Sequence, residues 1–215
     1  MLLPKPIRLT SLLVTLAAAL CAAQATAQDS LDDVLQRVRI QDNLYFSYRE
    51  TRHLQLMMEP WLATGDMHLS PQQMVIAQHK PTIVTTVITR DQLTHDDSEK
   101  ALHRTLTLEQ PFAVPGMEPF MQLLYGTAGF SELEEDYEIS FSATMDRWQL
   151  NLEPRRHINQ DIARMQLSGD SNRGADHLVL LYNDTDRTEW QLSLVSQGTD
   201  AAIKMQRFLP DQQLP

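Results

Sequence analysis

The chain has 215 residues, of which 18 are Lys or Arg and 28 are Asp or Glu, so its formal charge at neutral pH is −10. A surface of this charge repels phosphate backbones and anionic lipid headgroups, which argues against nucleic acid as a partner. The single cysteine excludes an internal disulfide framework. The length suffices for one domain with a sizeable core and is short for two.

Residues 1–27 have the pattern of a secretory signal peptide. Lys5 and Arg8 precede an apolar run over residues 12–23, and the small-residue sequence Ala25-Thr26-Ala27 follows it. This run is shorter than the roughly 18 residues that a membrane-spanning helix needs, so a retained anchor is the weaker alternative. We therefore predict an exported protein without a membrane anchor.

The remaining segment, residues 28–215, is expected to form a single domain. Cys21 leaves with the signal peptide, and Leu20 before it disfavours a lipid-attachment site. Loss of Lys5 and Arg8 from 18 basic residues against 28 acidic ones leaves a charge of −12. These features predict a protein of a bacterial periplasm, although an extracellular location fits the same facts.

The first predicted element is an amphipathic helix in the stretch "SLDDVLQRVRI". Ser30 has the residue type of an N-cap, and Asp33 stands in the first turn, where a carboxylate favours a helix start. Apolar residues repeat there at helical spacing, namely Leu31, Val34, Leu35 and Val38.

From Asn43 onwards the apolar period changes to two, which predicts strands. The first of them places on one face Leu44, Phe46 and Tyr48. The stretch "LATGDMHLSP" separates Ala63, Gly65, Met67 and Leu69 on one face from Thr64, Asp66 and His68 on the other. Further strand-like runs are "QMVIAQH", "TIVTTVITR" and "ALHRTLTL", and the polar "THDDSEK" predicts a turn before the last of these.

After Pro111 the pattern becomes helical again. An apolar stripe ends at Gly126, a residue suited to helix termination, and consists of Met117, Phe120, Met121, Leu124 and Tyr125. The following "SELEEDY" predicts a short acidic helix or turn. From Glu138 strands resume, in the runs "EISFSAT", "RWQLNLEP", "DIARMQLSG", "HLVLLYN" and "EWQLSLVSQ".

About ten short strands joined by tight turns, without helix–strand alternation or a fixed repeat, predict one large antiparallel sheet. The two or three predicted helices are too few to cover a flat sheet of this size. We therefore expect a mainly β domain, in which helices cover the open side of a strongly curved antiparallel sheet. A two-sheet sandwich is the alternative.

The order of these motifs resembles the outer-membrane lipoprotein carriers of the LolA type, and especially their divergent LolA-like branch. The resemblance covers nearly all of the segment after the signal peptide. It rests on the N-terminal helix and on the spacing of the stretches "FSYRET", "GDMHLSP", "HKP", "WQLNLEP", "DIARMQLSGD" and "TEWQLSLVSQG".

In that family the fold is an incomplete β-barrel, and helices form a lid over an apolar cavity that holds acyl chains. The resemblance therefore implies a lid over residues 116–126 and no cofactor. Nine of the ten methionines follow residue 27, and their thioethers suit an adaptable apolar wall, although methionine is also ordinary core filler. The residues expected at the cavity and lid are Leu44, Phe46, Tyr48, Trp61, Met67, Leu69, Met117, Phe120, Met121 and Leu124.

One position departs from the family pattern. The lipoprotein carriers have an arginine before the proline of "GDMHLSP", where it ties the lid shut, and this chain has Ser70. A serine offers at most a neutral hydrogen bond, whereas a charge-assisted bond contributes about 1.5–3 kcal/mol. We therefore expect a lid that opens more easily and a wider range of acylated ligands.

The resemblance implies a periplasmic carrier that binds the acyl chains of a lipoprotein or other acylated lipid and shuttles it towards the outer membrane. Such a carrier would act as a monomer between an inner-membrane donor protein and an outer-membrane acceptor protein. The alternative is a half-barrel interaction or sensor module that docks to a membrane-protein partner without carrying lipid. In that module Phe46, Trp61 and Phe120 would fill the interior.

The sequence contains no motif of a hydrolase or a nucleotide-binding protein: no Gly-x-Ser-x-Gly elbow, no HExxH and no glycine-rich phosphate loop. The seven histidines are spread over separate strands and turns without a metal-ligand spacing, so we expect solvent to satisfy them. The acidic runs "ELEED" and "HDDSE" lack the central glycine of a calcium loop. We therefore expect neither an enzyme nor a metal site.

Overall fold

The computed structural model describes residues 30–114, 117–126, 130–155, 161–171 and 174–206. The predicted signal peptide, Gly116 and His157 lie outside the described residues. The helices are α1 (Leu31–Val38), α2 (Glu118–Tyr125), α3 (Phe130–Asp136) and α4 (Thr199–Met205). The strands are β1 (Leu44–His53), β2 (Trp61–Leu69), β3 (Gln73–Lys80), β4 (Val84–Thr89), β5 (Gln92–Asp97), β6 (Leu102–Thr107), β7 (Tyr137–Ala143), β8 (Arg147–Pro154), β9 (Ile162–Asp170), β10 (Gly174–Tyr182) and β11 (Arg187–Gln197).

The eleven strands form one antiparallel sheet in the order β6-β5-β4-β3-β2-β1-β11-β10-β9-β8-β7. Consecutive strands pair with each other within each half, and the pairing of β1 with β11 joins the two halves. β6 and β7 remain as edges, so the sheet does not close, and the described strands form no second sheet of the kind a sandwich needs. The predicted single antiparallel sheet, an incomplete barrel, is confirmed.

One face of the sheet, here called the inner face, packs against α1 and α2. Its residues alternate along the strands and include Phe46 of β1, Met67 of β2 and Leu167 of β9. They belong to the same hydrophobic cluster as Val34 of α1 and Phe120 of α2. Because burial stabilises by roughly 25 cal/mol per Å² of apolar surface, this shared core holds the helices on the open side of the sheet.

The ends of α1 and α2 follow the predicted signals. Ser30 Oγ accepts a hydrogen bond from the Asp33 backbone N–H, and Asp33 Oδ2 accepts one from the Ser30 backbone N–H, each at 3.2 Å. At the end of α2, Gly126 has a φ of 58° and donates its N–H to the carbonyl of Gln122. The predicted capping of α1 and the glycine termination of α2 are confirmed.

The predicted turn "THDDSEK" is wrong in its first half, because Thr94 to Asp97 belong to β5. These residues pair with β4 on one side and β6 on the other. Asp97 is buried, and its carboxylate accepts hydrogen bonds from the backbone N–H groups of Glu99 and Lys100 and from Lys100 Nζ. The acidic side chain thus closes the turn that follows the strand.

A helix that we did not predict, α4, packs against β1 and β11 and places Lys204 near the outer-face residues Tyr45 and His68. Lys204 Nζ lies 4.9 Å from the ring centroid of Tyr45, which in turn lies 4.5 Å from that of His68. His68 is only 1% exposed, so the expectation that solvent satisfies this histidine is wrong. Removal from water disfavours the imidazolium, and Lys204 adds repulsion, which lowers the pKa of His68 to about 4 although Asp66 opposes the shift.

Candidate ligand-binding cavities

The inner face carries two cavities, and the smaller one, the apolar cavity, has a volume of about 230 Å³. β1 and β2 contribute directly opposed residues, since Leu44 pairs with Leu69 and Phe46 pairs with Met67. The period-two alternation of both strands turns these side chains to the same face. The remaining lining residues are Arg37, Val38, Ile40, Phe120, Leu124, Leu167, Gly174, Ala175, Leu192, Leu194 and Gln197.

Helix α2 forms the wall of the apolar cavity opposite the sheet. Phe120 and Leu124 are four residues apart, so they project from the same side of the helix, and both are buried. The backbone N–H of Ile40, just after α1, donates to the carbonyl of Leu124 at 2.7 Å. This bond joins the two helices into one cover.

The larger cavity, the acidic cavity, has a volume of about 540 Å³. Its base is formed by β1 and β11, where Glu50 pairs with Trp190 and Arg52 pairs with Thr188. Four of the lining side chains are acidic and one is basic. The other lining residues are Leu54, Met117, Asp161, Leu180, Tyr182, Asn183, Asp184 and Asp186.

The basic side chain of the acidic cavity, Arg52, is already engaged by its neighbours. Arg52 Nε donates to Glu50 Oε1 at 2.6 Å. The guanidinium carbon of Arg52 also lies 4.4 Å from the ring centroid of Trp61, which is a cation–π geometry. The positive charge is therefore compensated within the protein, and the carboxylates around the cavity mouth leave its field negative.

Tyr48 lies between the cavity-lining residues of β1 and itself lines neither cavity. This residue follows Phe46 of the apolar cavity and precedes Glu50 of the acidic cavity on the inner face of β1, and it lies opposite Leu192. A Cβ atom on Gly65 would lie 2.8 Å from Tyr48 Cε1, so the glycine allows the ring to lie against β2. Burial, reinforced by the charge of Glu50, raises the pKa of Tyr48, whose phenol stays protonated at neutral pH.

The structure brings together six of the ten predicted cavity and lid residues in the apolar cavity, namely Leu44, Phe46, Met67, Leu69, Phe120 and Leu124. Met117 lines the acidic cavity instead, and Tyr48 lines neither cavity. Trp61 packs against Arg52. Met121 is buried in the core without lining either cavity.

Ser70 is buried and makes its hydrogen bonds within the turn between β2 and β3. Its Oγ accepts from the backbone N–H groups of Gln72 at 3.3 Å and Gln73 at 3.2 Å, and it donates to the Gln73 carbonyl at 3.2 Å. This geometry gives the side chain a structural role in the hairpin. The effect of Ser70 on the lid stays a prediction.

Among the cavity residues that the sequence analysis missed, Glu50 has the clearest signal in the sequence. It continues the alternation of Phe46 and Tyr48, and a charged residue at an inner-face position is the signal that could have found it. Its partners on β11 come about 140 residues later. A single sequence does not give the register between strands so far apart.

Across the described ranges, no group of three or more His, Cys, Asp or Glu side chains is placed to hold a metal ion. His79 Nε2 instead lies 2.8 Å from a single carboxylate oxygen, Asp66 Oδ2. His95 Nδ1 lies 3.1 Å from Thr86 Oγ1. No helix within the same ranges is long and apolar enough to cross a membrane.

No protein-family model and no curated protein matches the chain. Solved structures do match it. A LolA superfamily protein from Nitrosomonas europaea is 11% identical, with a TM-score of 0.39 over 87% of this chain and 96% of that one. A DUF1329 family protein from Desulfovibrio piger is 9% identical, with a TM-score of 0.39 over 77% and 89%.

A further match is a domain from Vibrio parahaemolyticus that is described as an outer membrane lipoprotein-sorting protein. It is 9% identical, with a TM-score of 0.38 over 82% of this chain and 99% of that one. The roles of individual residues in this chain follow from its own geometry.

Proposed function

We propose that this protein is a non-enzymatic carrier that binds an acyl chain in the apolar cavity. Its cargo is an acylated molecule, either a lipoprotein or a lipid, which it moves through the periplasm towards the outer membrane. The observation that carries the proposal is the apolar cavity itself, which remains open between α2 and the sheet although its walls belong to the hydrophobic core.

The volume of the apolar cavity suits part of an acyl chain. A dry cavity of about 150 Å³ already binds a molecule of the size of benzene, and this one measures about 230 Å³. Burial of six CH₂ groups there would contribute about 5 kcal/mol. The rest of a long chain needs a displacement of α2 or extends into the acidic cavity.

Movement of the cover over the apolar cavity breaks one hydrogen bond between the helices and exposes buried apolar side chains of α2. One backbone hydrogen bond, from Ile40 to Leu124, joins α2 to the segment after α1, and such a bond contributes about 1 kcal/mol net. The apolar contacts of Phe120 and Leu124 with the sheet can be replaced by contacts with the ligand. An inner-membrane donor or an outer-membrane acceptor protein could therefore shift the lid by binding one of its positions preferentially.

The test is a pair of substitutions at neighbouring positions of β11. Leu194 lines the apolar cavity and is 46% exposed, whereas Val195 is 50% exposed and is not among the lining residues. A tryptophan at position 194 would occupy the cavity mouth, so Leu194→Trp should weaken binding of a fluorescent acyl probe at least about tenfold. Val195→Trp is the matched control and should bind as wild type does. Equal affinity in all three proteins would contradict the proposal.

A second candidate function, the interaction module, is favoured by the loop between β1 and β2. The side chains of Leu56 and Met58 are fully exposed there, which is unusual for two apolar residues so close together in one loop. Complementation of a deletion strain separates the two functions. A carrier loses function with Leu194→Trp, whereas a docking module loses it with Leu56→Ser/Met58→Ser and tolerates Leu194→Trp.

A further inference from the structure

The acidic cavity contains a buried carboxylate that is only partly satisfied by the protein. Glu50 is 4% exposed and belongs to the base of the cavity. Its Oε1 accepts the bond from Arg52, and no other side-chain hydrogen bond reaches Glu50 from the part of the chain that the structure describes. Buried carboxylates normally fill more of their acceptor positions. The remaining oxygen is therefore suited to a donor that the ligand supplies.

A second polar side chain lies beside Glu50 with no partner of its own. Thr188 is 6% exposed, lines the same cavity and pairs with Arg52 across the two strands. Within the described ranges its hydroxyl takes part in no hydrogen bond. The base of the cavity thus presents the second carboxylate oxygen of Glu50 and the hydroxyl of Thr188, neither of which is bonded by a described side chain, and both can accept a hydrogen bond.

The charges and rings around these groups favour a cation. Asp161, Asp184 and Asp186 also line the cavity, and Arg52 is already paired with Glu50. The negative field of these carboxylates would repel an anionic ligand, whereas it would attract an ammonium group. The aromatic rings of the lining residues Trp190 and Tyr182 can add cation–π attraction.

The acidic cavity lies next to the apolar one along β1. Glu50 follows Phe46 by four residues on β1, which corresponds to a separation of about 13 Å along the strand. Helix α2 and the residue before it serve both cavities, because Met117 lines the acidic cavity and Leu124 the apolar one. One amphiphilic molecule can therefore place its chain in the first cavity and its head in the second.

We propose that the acidic cavity binds the cationic amine headgroup of an amphiphile whose acyl chain lies in the apolar cavity. Glu50 and Thr188 accept hydrogen bonds from the ammonium group, and the aspartates at the mouth balance its charge. This inference rests on the proposed function and names the class of cargo that the carrier selects.

The experiment compares three ligands of equal chain length in displacement of a fluorescent acyl probe at pH 7: dodecylamine, dodecanol and dodecanoate. We expect the amine to bind about tenfold more tightly than the alcohol and the carboxylate to bind most weakly. Glu50→Gln should lower the amine-over-alcohol ratio at least about threefold. The same decrease is expected for the double variant Asp161→Asn/Asp184→Asn. Both positions are exposed, so this variant should fold and can test the headgroup site even if Glu50→Gln does not fold.

A matched control separates the cavity from the overall charge of the protein. Glu99→Gln/Glu138→Gln removes two charges from exposed positions that line neither cavity and should leave the ratio as in wild type. An equal decrease in this control, or an amine that binds no better than the alcohol, overturns the headgroup site while the carrier function stands. Failure of all three ligands to bind would overturn both.

Discussion

The two cavities share one face of one sheet, yet they differ in almost every property. The apolar cavity is walled by side chains such as Phe46 and Met67 that any core could contain. The acidic cavity is more than twice as large and has a buried glutamate at its base. The change occurs within two steps of the strand alternation, from Phe46 through Tyr48 to Glu50. A regular strand can thus provide both a surface for an acyl chain and a polar site for its head.

The two cavities differ in whether their lining residues are explained by the stability of the fold or require a functional explanation. Apolar side chains stabilise a core whether or not a ligand binds. The residue types that line the apolar cavity therefore have a structural explanation of their own. A buried, partly satisfied carboxylate costs free energy, and nothing in the packing of the sheet requires it. The acidic cavity is therefore the more informative of the two about function, and its selectivity is the sharper test.

The largest effect is expected for a charge placed on the cavity side of α2. Leu124→Glu would place a carboxylate against Leu44 and Met67, so we expect more than about a tenfold loss of acyl-probe affinity. The hairpin pairing of the sheet should keep its far-ultraviolet circular dichroism signal close to that of wild type. Gln122→Glu on the same helix, at a half-buried position outside both cavities, is the control. Joint loss of the sheet signal and of binding would assign α2 to the structural core.

The next effect limits the pH range in which the two cavities can be compared. His68 has a pKa of about 4 in the folded protein and about 6.5 when unfolded, so the unfolded chain takes up a proton first as the pH falls. The free energy of unfolding should decrease between pH 6.5 and pH 4, by up to about 3 kcal/mol, and the contribution should level off below that range.

His68→Phe checks this assignment, because phenylalanine cannot titrate. Urea unfolding at pH 7 and at pH 4.5 should show a smaller difference in the variant than in wild type. The same difference in both proteins would mean that groups other than His68 determine the acid sensitivity. The carboxylates of the acidic cavity are consequently better removed by substitution than by acid.

The smallest effect concerns the turn at the edge of the apolar cavity. Ser70→Ala removes hydrogen bonds to the backbone of Gln72 and Gln73 and should lower the free energy of unfolding by about 1 kcal/mol. The rate of probe entry should not change if the hydroxyl acts only in the hairpin. A faster or slower entry at unchanged stability would instead support the lid role that the family resemblance implies.

Local patterns predicted much of the fold and about half of the candidate site. The alternation of Leu44, Phe46 and Met67 is a property of each strand alone, and it placed these side chains on the inner face correctly. The Ser30 cap and Gly126 are equally local signals. The sequence therefore sufficed wherever the neighbours along the chain decide the structure.

The features that were not predicted depend on partners far along the chain. The acidic cavity exists because β11 and the turn before it return to β1, and this register is set by tertiary packing. The sequence pattern around His68 is that of a solvated strand residue. In the structure its ring is buried against Tyr45 and lies near Lys204 of α4. The polar residues at the end of β5 have the composition of a turn. Asp97 can nevertheless be buried in this strand because Lys100, in the turn that follows, satisfies its carboxylate.

Native mass spectrometry of the protein, isolated gently from its host cells, shows whether the apolar cavity holds an acyl chain. We expect an acyl-containing molecule bound to the wild type and to Val195→Trp, and its loss from Leu194→Trp. We also expect the bound molecule to carry an amine. Wild-type protein without any acylated ligand, or the same ligand content in all three proteins, would contradict acyl-chain binding in the apolar cavity.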